Sequence, residues 1–528
     1  MKVLVTEDVS PVGIDLLRAD PRVEVDIRVG MSKEELYKTV ADYDAIITRS
    51  GTTVDAALLD RGKKLKLVAR AGVGIDNIDV DYASSKGIIV VNAPFGNTNS
   101  AAEHTMAIML ARLRNVVDAG NNLKGGAWKR SPFTGHELKH KVLGIIGLGK
   151  VGGRVATRAK AFEAEVIACD PYIPKKRGDD LGVPLVSLDE IVTRSDIISV
   201  HTPLNDETRG MISEEQFARM KDGVYIINCA RGGIIKESAM LEALESGKVY
   251  GGAFDVWSSE PPNDEVKRLI AHPRMVVTPH LGANTFEAQI NVSRDVCRDI
   301  LRYLDEKPME SAVNVPKFDA ALMGTMKPYL HLAHQIGCFL AQLAPVHPEK
   351  ITFAYNGKLA ENDCQPLTVC GLTALLNRRL TQDVNMVNAL MVAQEIGLEI
   401  DEQRSTESEF FSNLITMTVE GSGERKIVAG TLFEGNPRIV QMRDFRTDFQ
   451  PEGVVLVMSY QDRPGMLGKI GTILGEAGVN IASMNLGRRE KAGEAMVVFS
   501  LDSSVDESVL KQLSKAVNAS FVRVVDMM

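Results

Sequence analysis

Three residues, each just past a short apolar run, have the types needed to manage a hydroxyl proton, a balancing charge and a carboxylate. Val224–Asn228 runs into Cys229-Ala230-Arg231-Gly232-Gly233. Gly252–Val256 carries Asp255 and leads to Ser259-Glu260-Pro261-Pro262. Met275–Thr278 runs into Pro279-His280-Leu281-Gly282-Ala283. A histidine titrates near neutrality and can take a proton from a hydroxyl. A neighbouring carboxylate orients the ring and stabilises the imidazolium that forms. An arginine grips a carboxylate through two parallel N–H groups and polarises the oxygen beside it. Together Arg231, Glu260 and His280 suit hydride removal from a hydroxy acid, with His280 as the acid–base. Singly, each also has a structural reading: a helix-start arginine, an exposed glutamate before two prolines, a core histidine.

The elements that must position them belong to a dinucleotide-binding pattern. Val142–Ile146 reads as a buried strand and enters Gly147-Leu148-Gly149-Lys150-Val151-Gly152, the G-x-G-x-x-G spacing. Gly147 serves the tight turn, Gly149 lets a pyrophosphate approach the backbone, and Gly152 lets the helix pack close to the strand. The free N–H groups of that helix face the phosphates. A second strand, Glu165–Cys169, ends at Asp170, 18 residues beyond Gly152, where an acid binds a ribose 2′-hydroxyl. Lys175, Lys176 and Arg177 follow and would instead attract a 2′-phosphate, so Asp170 predicts NAD and the cation cluster is its competitor. A further strand, Ile197–Val200, runs into His201-Thr202-Pro203. In an open parallel sheet such strand ends converge on one cleft. The candidate cofactor contacts are Gly147, Gly149, Lys150, Val151, Gly152, Asp170, Thr202, Cys229, Arg231, Asp255, His280 and Gly282.

Upstream, residues 1–95 alternate strands (Val3–Val5, Val23–Ile27, Ala45–Ile47, Leu67–Ala69, Ile88–Val91) with helices such as Lys33–Ala41, which predicts a second parallel sheet. Two strands end at arginine, Arg49 and Arg70, and the turn Ala71-Gly72-Val73-Gly74 offers a backbone anion seat. Either arginine alone reads equally as a solvated surface residue. A long helix is entered at Asn97-Thr98-Asn99-Ser100, with Ser100-Ala101-Ala102-Glu103 as a capping box and Met106, Met109, Leu110 and Leu113 on its apolar face. His104 on this helix reads as a core or interface histidine. Trp128-Lys129-Arg130 is either a cationic contact or a solvated loop.

The whole-chain numbers bound the class. The chain has 528 residues, 45% hydrophobic and 25% charged, which suits a globular protein of three or four domains. A net charge of −8 argues against a nucleic-acid or anionic-membrane binder, so an anionic ligand needs a local cation cluster. The six cysteines lack metal-ligand spacing, no metal is expected, and reduced thiols predict a cytoplasmic protein. The acids in MKVLVTEDVS argue against a signal peptide, and no apolar run is long enough to span a bilayer.

GLGKVG, NCARGG, FDVWSSEPP and TPHLGA together resemble the D-isomer-specific 2-hydroxyacid dehydrogenases, over roughly residues 1–316. The resemblance implies catalytic roles for Arg231, Glu260 and His280. It also implies an α/β architecture in which a Rossmann-type doubly wound domain, residues 96–282, is inserted in a discontinuous flavodoxin-like substrate domain, residues 1–95 and 283–316. The helix Thr285–Tyr303 is then the returning segment. RAGVGIDNID, at Arg70–Asp79, and APFGNTNSAAEHT, at Ala93–Thr105, look like the substrate loops of the branch that oxidises 3-phospho-D-glycerate to 3-phosphooxypyruvate with NAD, the opening step of L-serine synthesis. Arg49, Arg70, Gly72, Asn97 and Arg130 are the matching substrate-binding candidates. The alternatives within the family are another D-2-hydroxyacid dehydrogenase, of glycerate or hydroxypyruvate type, and a non-catalytic NAD-sensing corepressor.

Residues 317–450 carry no visible catalytic constellation. A helix over Met323–Leu343, a strand Ile351–Tyr355, a helix Asn385–Ile396 and strands Leu414–Val419 and Lys426–Leu432 suggest an α+β packing or regulatory module, similar in placement to the intervening domain of the long-form enzymes of that branch. Residues 451–528 read in the order β-α-β-β-α-β, the ferredoxin-like topology. SYQDRPGMLGKIGTILGEAGVNI resembles the ACT domain, a small-amino-acid sensor. The resemblance implies effector contacts at Asp462, Pro464, Gly465 and Asn480, with L-serine as effector and self-association into a homotetramer. The bland alternative is a ferredoxin-like assembly module without a ligand.

Overall fold

The computed structural model describes residues 1–316, 322–343, 347–408, 410–490 and 493–527. The expected start of the third module, residue 317, lies outside the described residues. The chain divides into two compact units, one of Met1–Thr53, Ala69–Asn77 and Val91–Ser311, the other of Val54–Val68, Ile78–Val90 and Ala312–Met528.

The first sheet contains β1 (Lys2–Val5), β2 (Glu24–Ile27), β3 (Ala45–Thr48), β4 (Leu67–Arg70) and β5 (Ile89–Val91). Its order, β2-β1-β3-β4-β5, is that of flavodoxin-like folds. β1 pairs in parallel with both β2 and β3. The helix Phe286–Leu304 packs on the helix Pro11–Arg18, and Ser293 Oγ donates to Ser10 O at 2.7 Å.

The second sheet contains β6 (Val142–Ile146), β7 (Glu165–Cys169), β8 (Ile197–Val200), β9 (Val224–Asn228), β10 (Val249–Phe254) and β11 (Met275–Val277), in the order β11-β10-β9-β8-β6-β7 and parallel throughout. Leu185 makes one parallel bridge to Ala168 beyond β7. With that bridge as a vestigial strand the order becomes that of a Rossmann sheet, and the order reverses between β6 and β8. β8 and β9 are buried along their whole length, which is why they read as near-continuous apolar runs. Each fully buried Ile or Val contributes about 1.5–3 kcal/mol.

Within the second unit, β12 (Lys350–Gly357), β13 (Glu399–Ser405), β14 (Asn413–Gly421), β15 (Glu424–Phe433), β16 (Asn436–Met442) and β17 (Phe445–Phe449) form a sheet ordered β13-β12-β14-β15-β16-β17. Only β12–β13 is parallel. The helices Met323–Leu343 and Gln365–Asn377 pack on each other against this sheet. The last sheet contains β18 (Val454–Gln461), β19 (Ile481–Arg488), β20 (Glu494–Leu501) and β21 (Phe521–Asp526), ordered β19-β20-β18-β21, the ferredoxin-like order. It is covered on both faces. Leu456, Met458, Val497 and Phe499 pack under the helices Met466–Glu476 and Glu507–Val517, while Val455, Val457, Val498 and Val525 join the core of the preceding module.

Two local expectations fail. The long helix starts at Thr98 with Asn97 as its cap residue, and Ser100 forms no capping box. Its hydroxyl instead lies 2.8 Å from that of Thr285, so a tertiary partner outcompetes the local bond. The helix expected from Asn385 begins only at Ala389. Asn385 Oδ1 accepts from Val387 N and Asn388 Oδ1 from Asn385 N, which holds residues 385–388 in a turn. The helix Gln365–Asn377 and strands β13, β16 and β17 were not anticipated.

No helix among the described residues is long and apolar enough to cross a membrane, and no group of three or more His, Cys, Asp or Glu gathers there to hold a metal ion.

Candidate active site

The glycine loop has the geometry its spacing predicts. Gly147 has φ +95°, a region L side chains avoid, and its N–H donates to Cys169 O at 2.8 Å. A methyl group at Gly152 would lie 2.0 Å from Gly147 O, whereas one at Gly149 would meet nothing within 4 Å. The loop is thus closed towards the sheet and open where a phosphate would sit, at the start of the helix Lys150–Ala161. Asp170 accepts from Leu148 N at 2.9 Å and from Tyr172 N at 3.1 Å. A carboxylate has about four acceptor sites, so roughly two remain for ribose hydroxyls. Arg177 reaches back to Gly149 O at 3.4 Å. Thr202 Oγ1 is buried without a partner, an orphan polar atom at this crevice. These features fit NAD. A cavity of about 580 Å³, lined by Phe95, Ser100, Lys150, Arg154 and Arg177 but by neither His280 nor Glu260, runs along the flank of this helix.

Past β10 and β11, His280 Nδ1 lies 2.7 Å from Glu260 Oε2. Trp257 N donates to the other glutamate oxygen at 3.1 Å. Burial pushes the Glu260 carboxyl up, but the His280 and Trp257 hydrogen bonds outweigh it and hold the group below the ordinary glutamate range. Glu260 is therefore anionic at neutral pH and accepts a hydrogen bond from Nδ1–H, and the His280 side chain is 45% exposed. His280 itself has φ +56°, a sparsely populated conformation. Asp255 imposes it: the Asp255 carbonyl accepts from His280 N at 2.8 Å, and its carboxylate accepts from Leu281 N, Gly282 N and Thr278 Oγ1 at 2.5–2.8 Å. Trp257, Pro261, Pro262, Ile270 and Val277 wall the pair on one side, around a cavity of about 280 Å³.

The other titratable groups near the strand ends are arranged differently. Burial pushes His201 down to about 4, and it pairs with Ser199 Oγ at 2.8 Å. Burial pushes the Cys229 thiol up to about 12. His104 Nε2 bonds to Asp255 and Thr278, which ties the long helix to the His280 turn. His280, with its side chain 45% exposed, is the more open of the two histidines paired to a carboxylate here, His104 being 20% exposed.

The arginines gather at the glycine turn after β4. A methyl group at Gly72 would lie 1.8 Å from Arg70 Nη1, and one at Gly74 would lie 2.2 Å from Arg231 Nη2. Both guanidiniums therefore rest on backbone that only glycine leaves open. Burial, then the nearby Arg231, lowers the pKa of Arg70, and its Nε is buried without a partner. Arg231 Nη1 donates to Ala230 O at 2.7 Å, while Nε donates to Asp76 Oδ2 at 3.2 Å. Arg49 Nη1 donates to Asp8 O at 3.2 Å. Asn97 caps the long helix without a side-chain cap bond. Arg130 lies in an exposed loop before the short turn Ser131–Phe133.

Three supporting acids escaped the sequence reading. Glu7 accepts from Arg49 N, Gly51 N, Thr52 N and Thr48 Oγ1 at 2.8–3.0 Å and so shapes the turn that carries Arg49. Burial raises its pKa, but these bonds, led by the Arg49 and Gly51 amides, bring it below the ordinary value. Glu237, 8% exposed, accepts from Ser258 N at 2.8 Å and from its hydroxyl, anchoring the loop that presents Glu260. Asp76, within the stretch Arg70–Asp79, meets Arg231 from beyond it.

In the C-terminal module, Gly465 has φ +91° and opens the helix Met466–Glu476. Asp462 pairs with Arg488 at 3.1 Å, and Asn480 Nδ2 donates to Asp502 at 2.7 Å. The two lie at opposite ends of that helix, whose 11 residues rise roughly 16 Å. One chain does not bring Asp462 and Asn480 together.

Residues 106–282 match the model of the D-isomer specific 2-hydroxyacid dehydrogenase NAD binding domain. Residues 325–443 match the D-3-phosphoglycerate dehydrogenase intervening domain, and residues 454–518 the ACT domain. The crystal structure of the Aquifex aeolicus D-lactate dehydrogenase complexed with NAD and lactic acid matches 60% of this chain and 100% of its own, with 28% identity and a TM-score of 0.55. The Thermus thermophilus protein TT0316 matches 59% of this chain and 100% of its own at 32% identity, also with a TM-score of 0.55. The D-3-phosphoglycerate dehydrogenase of Bacillus subtilis is 38% identical over 100% of this chain and 99% of its own. That of Archaeoglobus fulgidus is 40% identical over 98% of both chains. Because that similarity runs from end to end, through the dinucleotide, intervening and ACT regions alike, the chain belongs to the D-3-phosphoglycerate dehydrogenase family.

Proposed function

We propose that this NAD-dependent oxidoreductase converts 3-phospho-D-glycerate to 3-phosphooxypyruvate, the first committed step of L-serine biosynthesis, under feedback by L-serine. The observation that carries the chemistry is the 2.7 Å His280–Glu260 pair past β10 and β11, with Arg231 on the loop after the neighbouring strand β9. NAD, when bound, supplies the acceptor for the hydride that leaves C2. His280 Nε2 takes the C2 hydroxyl proton as the C2–O bond becomes a carbonyl. Glu260 keeps the ring in the tautomer with Nδ1 protonated and balances the imidazolium. Arg231 holds the substrate carboxylate and polarises the C2 oxygen. Arg49, Arg70 and Arg130 supply cations for the phosphate, and Gly72 and Asn97 supply polar contacts beside them. Gly147, Gly149, Lys150, Val151, Gly152, Asp170, Thr202, Cys229, Asp255 and Gly282 form the cofactor crevice.

The chain then comprises a substrate domain (1–95 and 283–316), a dinucleotide domain (96–282), an intervening domain (317–450) and an ACT domain (451–528). Serine would sit at the Asp462–Gly465 loop of one copy with Asn480 of a second, in a cytoplasmic homotetramer. The test is NADH formation by the full chain on a panel of phosphoglycerate, glycerate and lactate, each with and without serine. Turnover restricted to phosphoglycerate and lowered by serine is the expected result; preference for an unphosphorylated acid overturns the substrate assignment.

A further inference from the structure

Asp76 sits on the turn after β4, between two cations. Its Oδ2 accepts from Arg231 Nε at 3.2 Å, and both Arg231 Nη2 and Asp76 Oδ2 lie over Gly74. Its charge also favours the cationic form of Arg70, which burial and Arg231 disfavour. A guanidinium binds a carboxylate best through two parallel N–H groups on one edge. Nη1 of Arg231 is committed to Ala230 O at 2.7 Å. The Nε/Nη2 edge is a bidentate face clear of that bond, and Asp76 holds it through one long bond.

We propose that Asp76 and the substrate carboxylate compete for this edge of Arg231, so that Asp76 sets the affinity of the cleft for its substrate. The inference rests on the assignment of Arg231 as the carboxylate-binding residue. Asp76 suits the role because the pair is exchangeable. Its side chain is 63% exposed and that of Arg231 29% exposed, and ion pairs this open contribute little. Glu7, another acid among these arginines, is different: it is bound to three backbone amides and a hydroxyl, and cannot leave without dismantling the Arg49 turn.

The competition also gives the neighbouring cations a reason for their arrangement. With Asp76 on Arg231, the positive charge of the cleft is partly neutralised from within. When the substrate carboxylate takes the edge, Asp76 swings to solvent and the incoming negative charge replaces it. The exchange conserves the local charge, so Arg70 and Arg231 are never left to repel each other unbalanced.

The test uses the full-length protein and Asp76→Asn, which keeps the shape and removes the charge, with Asp76→Ala as a second variant. In both, KM for phosphoglycerate falls by about two- to fivefold, the range that an exposed ion pair can supply, while kcat changes less than twofold. A turnover-free readout accompanies it: calorimetric titration of oxalate into the NADH-loaded protein, where both variants bind oxalate tighter by the same factor. A rise in KM means that Asp76 orients Arg231 rather than competes for it, and an unchanged KM and oxalate affinity means that the pair carries no weight; either overturns the proposal. If the parent protein does not turn over phosphoglycerate yet both variants tighten oxalate binding, the substrate assignment falls and the competition stands.

Discussion

His280 and Glu260 are 20 residues apart in the chain and 2.7 Å apart in space. Asp462 and Asn480 are 18 residues apart and stand at the two ends of an 11-residue helix. The first pair is brought together by neighbouring parallel strands, β10 and β11, whose carboxyl ends deliver their loops to one place. The second pair is held apart by the element between them. Each partner is meanwhile occupied locally, Asp462 by Arg488 and Asn480 by Asp502. The proposed acid–base pair therefore forms within one chain, whereas the proposed effector contacts Asp462 and Asn480 stand apart within it. A parallel sheet gathers distant residues at its end, while the ferredoxin-like module here keeps its two candidate contacts at opposite helix ends.

The strongest way to break this contrast is at His280. With the acid–base pair formed inside one chain, His280→Ala should lower kcat/KM by about 10²–10⁴-fold and leave NAD binding, followed by titration, nearly unchanged. Near-normal turnover would mean that another group takes the proton. Next comes Arg49→Ala, which should cost about 1.5–3 kcal/mol in the KM for phosphoglycerate, the worth of a hydrogen bond to a charged group. Glycerate, which lacks the phosphate, should barely respond, and equal losses on both substrates would make Arg49 structural or a carboxylate ligand.

The C-terminal half of the comparison predicts a conditional effect. Coupling between effector and substrate is typically about 1–3 kcal/mol. Asp462→Ala and Asn480→Ala should each relieve serine inhibition without lowering the uninhibited rate. Because the two residues would act from different copies, mixed oligomers carrying one substitution on each kind of chain should recover part of the response. Calorimetry with no heat of serine binding to the parent protein would leave the module as an assembly contact.

The mildest change is Glu260→Gln. Its carboxyl lies below the ordinary range in the folded protein, so it is anionic throughout the working pH, 2.7 Å from His280 Nδ1. Removing that charge makes the ring easier to deprotonate. The acidic limb of the pH–rate profile for oxidation should therefore move to lower pH, with a smaller loss of kcat than His280→Ala. A profile that does not move would show that Glu260 anchors the Trp257 loop and leaves the ring untouched.

Much of the site was legible because its parts are local. The G-x-G-x-x-G spacing, the acid after β7, the arginines ending β3 and β4, and the residues following β9, β10 and β11 are each set by a short stretch whose backbone geometry follows from residue type. The strand runs could be read because parallel strands buried on both faces are apolar throughout. The intervening module was harder: β13 is half exposed, and the helix Gln365–Asn377 is apolar on nearly all sides, so neither shows a clean period.

What the linear order left undecided were the acids that hold the site together. Glu7 meets Arg49 across 42 positions, Asp76 meets Arg231 across 155 and His104 meets Asp255 across 151. An acidic side chain looks the same in the sequence whether it is solvated, structural or poised to exchange. Only its burial and its partners separate these cases, and both are set by which loops the two parallel sheets bring to a common edge. Residue types and spacing determined which chemistry this chain can do; the tertiary structure decided which charges are fixed in place to do it and which are free to give way.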